Sequence, residues 1–199
     1  MSCLPMLVTT HKNKTMKLSN VTICAIDSVQ PDKAKKAIER SKRNIEFGGE
    51  LFIDHMSINS RQAYSKFILQ ELHKYIHTDF VLIVQWDGWV IDANAWKPQF
   101  LDYDYIGAVW PWHPEGLRVG NGGFSLRSKK LLELTNTPKF VYNNKNEDDL
   151  ICHLNRDYLV SNGIKFAPEE LARYFSYERE LSNLQTFGFH GDFHMSKYL

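Results

Sequence analysis

Cysteine is scarce in this chain and falls in no paired pattern: Cys3, Cys24 and Cys152 are the only three among 199 residues. An odd, unpaired set argues against a disulfide framework and against a zinc ribbon. It fits a reducing, cytoplasmic setting. Long apolar runs are missing too. None approaches the roughly 20 residues of a membrane span, and "CLPMLV" (Cys3 to Val8) is too short and too poorly flanked for a secretory signal. Net charge is nearly absent: 24 Lys and Arg against 23 Asp and Glu leave +1, without the basic balance of a tight nucleic-acid binder. The basic stretch "KKAIERSKR" (Lys35 to Arg43) reads as the solvated face of a helix. Two phosphate-binding signatures are also lacking, the GxxxxGK[ST] loop and a GxGxxG following a strand.

Aromatic residues, in contrast, are plentiful, with five Trp, nine Tyr and twelve Phe making 13% of the chain. They fill cores, and they also line sites that stack planar or sugar rings. The hydrophobic and charged shares, 43% and 24%, are those of an ordinary globular protein. The length suits one domain around one core. Residues 1–20 read as a polar extension and 21–199 as the domain.

The pattern of the first ninety residues is an alternation. "VTICAID" (Val21 to Asp27) predicts a buried strand ending in an acid. "PDKAKKAIERSKRNI" predicts a helix with Ala34, Ala37, Ile38, Ser41 and Ile45 on one face. "ELFID" (Glu50 to Asp54) predicts a second strand. "SRQAYSKFILQELHKYI" predicts a helix, and Phe80 to Gln85 a third strand. Strand, helix, strand, helix, strand implies right-handed crossovers and a largely parallel sheet. Ligands of such sheets bind beyond the carboxyl ends of the strands, where Asp27 and Asp87 stand. Later, "ANAWKPQFL" reads as a short helix closed near Pro98. "GNGGFSLRSKKLLEL" reads as a glycine loop running into a strand or helix. "NEDDLICHLNRDYLVSNG" reads as a helix with Asn146 as N-cap, acids in its first turn, Leu150, Ile151, Leu154 and Tyr158 on its apolar face, and Gly163 past its end.

Four constellations have chemical potential, each with a plainer reading beside it. Asp87 in "QWDG" either closes an Asp-Gly turn or offers a carboxylate to a divalent cation or a ribose. Gly120, Gly122 and Gly123 either form a tight structural turn or a floor that a sugar or phosphate can approach closely. Glu147, Asp148 and Asp149 suit a helix N-terminus, yet three consecutive acids repel one another and can raise one pKa toward general-base duty. His190 in "FGFHG" is either a packed core residue or a metal ligand.

The order of these motifs along the chain resembles the glycosyltransferases of the GT-A fold, and more closely a glycosyltransferase-like family with "QWDG", "DYIGA.WPWH", "GNGGFSLRS", "E-D" and "FGFHG". The resemblance runs from about Val21 onward. It implies a GT-A-like (Rossmann-like) α/β fold, a mostly parallel central sheet flanked by helices in a single domain. It implies that Asp27, with Ser28 beside it, contacts the nucleoside of an activated sugar. Gln85, Trp86 and Asp87 stand where the family has Asp-x-Asp, with Asp87 holding a cation on the donor diphosphate. Gly120, Asn121, Gly122 and Gly123 shape the donor-sugar and acceptor pocket. Glu147 and Asp148 match x-Glu-Asp, with Asp148 as base, and His190 completes the metal shell.

One letter departs from that pattern: Gln85 replaces the first acid of Asp-x-Asp. The resemblance then leaves three states open: a weakly held Mn²⁺ or Mg²⁺, one supplied mainly by the donor phosphates, or none. Cationic side chains can neutralise a leaving diphosphate instead, and Arg118 and Arg127 flank the glycine loop. The expected activity is inverting transfer from a nucleotide sugar, a uridine one, to a hydroxyl of a glycan, protein, small molecule or modified nucleobase. Trp110 and Trp112 in "WPWHPEG" either cover the acceptor or form a stiff corner. Two other readings share these residues, a non-catalytic glycan- or nucleotide-binding module and a metal-dependent phosphate-ester hydrolase.

Overall fold

The computed structural model of the chain describes residues 15–180 and 184–199. The first half follows the predicted alternation: β1 (Met16–Ile26), α1 (Pro31–Ser41), β2 (Ile45–Ile53), α2 (Arg61–Gln70) and β3 (Phe80–Ile83). β1 lies in the middle, parallel to β2 on one side and to β3 on the other. β4 (Tyr105–Ile106) and β5 (Ser125–Ser128) complete a five-stranded sheet in the order β2-β1-β3-β5-β4. β5 is antiparallel to both β3 and β4, so the sheet is parallel except for that strand. Four helices follow: α3 (Lys129–Thr135), α4 (Glu147–Asp149), α5 (Arg156–Ser161) and α6 (Glu169–Phe175), with a π-helical segment Leu150–Leu154 between α4 and α5. A small parallel pair, β6 (Ser176–Tyr177) and β7 (Gly188–Phe189), closes the chain.

The sheet is buried on both faces, which is why its inner strands read as unbroken apolar runs. Side chains alternate faces along a strand. Val21, Ile23 and Ala25 of β1 with Leu82 of β3 pack into one core that α1 covers with Ala34, Ala37 and Ile38. Cys24, Ile26, Val81 and Ile83 face the other way, against Ile68 of α2, Leu72 and Ile76. Cys24 and Cys152 are free thiols inside these cores, and burial pushes Cys24 up to about 12, so both behave as small apolar residues. Cys3 lies outside the described residues.

Two registers position the site. Ile83 pairs with Ser125 in the antiparallel ladder, so the residues just before Ser125 run beside those just after Ile83. The glycine loop and "QWDG" therefore meet beyond the carboxyl end of the central strand β3, although they are far apart in sequence. Cys24 pairs with Ile83 in the parallel ladder, which brings Asp27 level with Trp86.

Several boundaries differ from the sequence reading. β1 starts at Met16, inside the stretch read as an extension, and its register with β2 slips between Leu18 and Thr22. That irregularity breaks the period-two pattern that a strand reading needs. The helix expected to end at Ile76 ends at Gln70, followed by a 3₁₀ turn over Leu72–Lys74. Pro98 opens a 3₁₀ turn (Pro98–Asp102) instead of closing a helix, as its missing N–H and fixed φ favour at a first turn. Asn146 flanks α4 without a side-chain cap bond. The helix beyond it widens into a π turn, where Asn155 N–H donates to the Leu150 carbonyl at 3.0 Å, five residues back. The extra residue in that turn rotates Leu154 off the expected apolar face, and it is 45% exposed.

Candidate active site

The turn after β3 is the Asp-Gly turn that its sequence allowed. Gly88 N–H donates to the Gln85 carbonyl at 3.0 Å, making Gln85 to Gly88 a β-turn, with glycine at the position type I turns favour. The turn is clamped against the end of β7, since Gly191 N–H donates to the Asp87 carbonyl at 3.0 Å. That clamp points Asp87 at His190, Oδ1 to Nε2 3.4 Å. Asp87 Oδ1 is buried and has no hydrogen bond of its own.

His190 sits among four polar side chains. Nε2 lies 3.2 Å from Gln85 Oε1. Nδ1 lies 2.9 Å from Asn121 Nδ2 and 3.3 Å from Glu178 Oε1. Asn121 Oδ1 accepts from Phe124 N–H at 3.1 Å, which turns the amide nitrogen of Asn121 toward the ring. Burial opposes protonation of His190, but the neighbouring carboxylates of Asp87 and then Glu178 outweigh it and raise the imidazole to about 9. Glu178 was not anticipated. The β6–β7 register explains it: Ser176 pairs with Gly188 and Tyr177 with Phe189, so Glu178 and His190 leave two parallel strands side by side. An acid directly beyond a strand was the available signal, and a two-residue strand is too short to show in sequence.

The glycine loop is shaped by what surrounds it. Asn121 adopts φ 63°, a left-handed conformation that asparagine tolerates better than most residues. A Cβ at Gly120 would lie 2.3 Å from the Trp110 ring, one at Gly122 2.2 Å from Glu147 Oε1, and one at Gly123 2.0 Å from His190 Nε2. The three glycines admit protein side chains to the loop, and Gly122 and Gly123 also face the cavity described below.

Beneath the loop, Arg127 of β5 is fully buried and pairs with Glu147 Oε1 at 2.9 Å. Arg127 Nε also donates to Ser125 Oγ at 3.0 Å. This corrects the reading of Arg127 as a residue facing the donor: it is enclosed under Gly122 and does not line the cavity. Arg118 is engaged as well, donating to the His113 carbonyl at 2.8 Å and pairing with Glu169 at 3.5 Å. Asp148 Oδ2 accepts from Gly122 N–H at 2.9 Å and Oδ1 from Asp149 N–H at 2.9 Å. Each oxygen keeps a further lone pair. Burial first, then the neighbouring Glu147 carboxylate, raises Asp148 to about 7.

These groups share a cavity of about 490 Å³. Gln85, Asn121, Gly122, Gly123, Glu147, Asp148 and His190 line it, with Trp110 and Trp112 at one side. Asn146 and Asp149 of the "NEDD" stretch also line it, as do Arg61, Tyr64, Glu178 and Arg179, four residues that the motif reading did not single out. Asp87 reaches the cavity only through His190. Gly120 packs on Trp110, and Trp86 carries Lys33 Nζ 4.8 Å above its ring. Asp27 Oδ1 accepts from Val29 N–H and Gln30 N–H at 2.8 and 2.7 Å, and Ser28 Oγ donates to the Ile58 carbonyl at 2.7 Å. Both side chains thus hold the loop into α1 and lie outside the cavity lining.

The mostly parallel sheet flanked by helices is a GT-A-like α/β fold. A solved glycosyltransferase involved in the glycosylation of the major capsid of PBCV-1 matches with a TM-score of 0.52 at 15% identity, over 89% of this chain and 98% of that one. The galactosyltransferase LgtC, solved with donor and acceptor sugar analogs, matches with a TM-score of 0.48 at 17% identity, over 85% of this chain and 86% of that one. No curated protein matches the sequence. The chain belongs to the family described as "Protein of unknown function (DUF5672)", whose model matches residues 47–190.

Proposed function

We propose that this chain is a glycosyltransferase that moves a sugar from a nucleotide-sugar donor, of the uridine class, to a hydroxyl of a glycan acceptor, with inversion. The observation that carries the reading is one cavity lined by Asp148 on one element and by Gln85 and His190 on others. In this reading Asp148 accepts the proton of the acceptor hydroxyl. Its two backbone hydrogen bonds fix the carboxylate, which lines the cavity. The base works on one side of the reacting sugar while the diphosphate leaves from the other, which gives inversion. Gly122 and Gly123 leave room for the donor sugar. Trp110 and Trp112, stacked with ring centroids 5.9 Å apart, offer flat apolar faces that suit a sugar acceptor.

The residues fit a divalent cation. Gln85 Oε1 and Asp87 Oδ1 lie 3.2 and 3.4 Å from His190 Nε2, the spacing of neighbours in a small coordination shell, and Asp87 Oδ1 lacks a hydrogen bond. Mn²⁺ or Mg²⁺ held by these three, once His190 Nε2 gives up its proton, would neutralise charge on the donor diphosphate. With one carboxylate in the set, affinity is low until the donor phosphates join. Arg61 and Arg179, both exposed on the cavity, supply further positive charge. Asp27 keeps Oδ2 for the nucleoside, at the level of Trp86.

Thermal shift against a panel of nucleotide sugars, with and without Mn²⁺, tests donor class, because a ligand that binds the native state alone raises its stability. NMR of the product's anomeric proton tests inversion, and a retained configuration contradicts the role given to Asp148. Gln85 in place of an acid favours one second reading, a binding module without turnover. That reading expects Asp148→Asn to change nothing measurable.

A further inference from the structure

We propose that His113, Asp149 and His153 form a binding site for a borderline transition-metal dication, Zn²⁺ being the type, which pins the tryptophan loop 110–116 to the helical segment that follows Asp148. The site shares no residue with the Gln85, Asp87 and His190 cluster, and the proposal does not rest on the transfer reading.

The geometry brings the three ligands together from two directions. Asp149 and His153 are four residues apart across the start of the π-helical segment, so their side chains share a face. His113 arrives from the loop, with its ring stacked on that of His153 at 3.8 Å between centroids and 19° between planes. One ligand atom from each of the three residues lies within 4.8 Å of the others. The backbone beneath His113 is already fixed. Trp110 N–H donates to the Arg118 carbonyl at 2.7 Å and His113 N–H to the Trp110 carbonyl at 3.3 Å, while Arg118 Nε donates to the His113 carbonyl at 2.8 Å. Farther along, Arg156 Nη2 donates to the Gly116 carbonyl at 3.1 Å. Closing the cluster around an ion with bonds of about 2.0–2.1 Å therefore takes side-chain rotation, not loop movement.

A second observation points to a ligand. His153 Nε2 is buried and has no hydrogen-bond partner. A buried ring nitrogen in a stacked imidazole pair is an unused donor atom, and a cation between the pair and Asp149 would occupy it. The donor set selects the metal. Two imidazoles and a carboxylate suit Zn²⁺ or Co²⁺ with water in the fourth position, whereas Mg²⁺ prefers oxygen alone. Because Trp110 stacks on His153 at 5.6 Å, the ion would also steady the aromatic wall of the cavity beside Asp149.

The experiment uses the full chain, stripped with a chelator, titrated with Zn²⁺ by calorimetry and with Co²⁺ by visible absorption. The expected result is one tight Zn²⁺ equivalent, tetrahedral Co²⁺ bands, and much weaker binding of Mg²⁺. His113→Ala and His153→Ala should each weaken Zn²⁺ by about tenfold or more, since even outer-shell changes cost that much. Asp87→Asn should leave this binding unchanged. His113 lies on a surface loop, so its variant keeps the fold, checked by an unaltered melting temperature in chelator. The proposal is overturned if the wild-type chain shows no saturable Zn²⁺ binding, if binding survives both histidine substitutions, or if Asp87→Asn removes it.

Discussion

Substituting Gly123 by alanine isolates the role of the glycine loop. The new Cβ would lie 2.0 Å from His190 Nε2 and 2.4 Å from Cδ2, against 3.4 Å for ordinary contact, a shortfall of 1.4 Å at the closest atom. The φ of Gly123 is not in the left-handed region, so alanine meets no backbone penalty and the effect is steric alone. The ring cannot retreat freely, because Gln85, Asn121 and Glu178 hold it at 3.2, 2.9 and 3.3 Å and Asp87 stands 3.4 Å away. Overpacking of this kind costs about 1–3 kcal/mol. For a chain of this size each kcal/mol lowers Tm by about 2–4 °C. Gly123→Ala should therefore melt roughly 2–12 °C lower and lose cation-dependent donor binding in a Mn²⁺ titration. Gly116→Ala is the control: φ is +79° and nothing lies within 4 Å of its added Cβ, so it strains the backbone without touching the site. A Gly123→Ala protein with unchanged Tm and unchanged donor binding would refute the claim that His190 is held in place.

Three further substitutions test separate links. Arg127→Met leaves Glu147 buried without its partner 2.9 Å away and should destabilise by about 3–5 kcal/mol; denaturant unfolding should show much of this recovered in Arg127→Met/Glu147→Gln. Gln85→Glu puts a second carboxylate about where Oε1 now lies 3.2 Å from His190 Nε2, and Mn²⁺ affinity measured by EPR should rise; unchanged affinity would remove Gln85 from the cation site. Trp112 is 58% exposed, so Trp112→Ala should leave stability within about 0.5 kcal/mol while raising the acceptor KM with kcat retained.

What could be read in advance was what local pattern encodes. The strands around Ile23 and Leu82 are buried on both faces and announce themselves as apolar runs. Asp87, Asp148 and His190 stand at strand or helix ends, where an acid or imidazole is conspicuous. Arg127 misled for a physical reason: a cation beside a glycine loop looks available in sequence, and only the ladder with β3 and β4 shows it enclosed with Glu147. Glu178 was hidden because its strand has two residues and its partner strand is distant in sequence. Leu154 was misplaced because a π turn shifts the phase of the helix, and a 3.6-residue template has no means of anticipating that. Asp27 and Ser28 show a fourth limit, since a conspicuous acid after a strand can be occupied by its own loop.

The proposed transfer stands on Asp148 acting as the base at the wall of the cavity. Measuring turnover and donor affinity together in Asp148→Asn tests it most directly. Asparagine keeps the shape and its one oxygen can still accept from Gly122 N–H, which now donates to Oδ2 at 2.9 Å, at the loss of the bond from Asp149 N–H, but it cannot take a proton. Transfer should fall by about 10²–10⁴-fold with donor affinity unchanged in calorimetry. Turnover within about threefold of the original chain, well short of a general-base effect, or donor affinity lost in step with turnover, would contradict it.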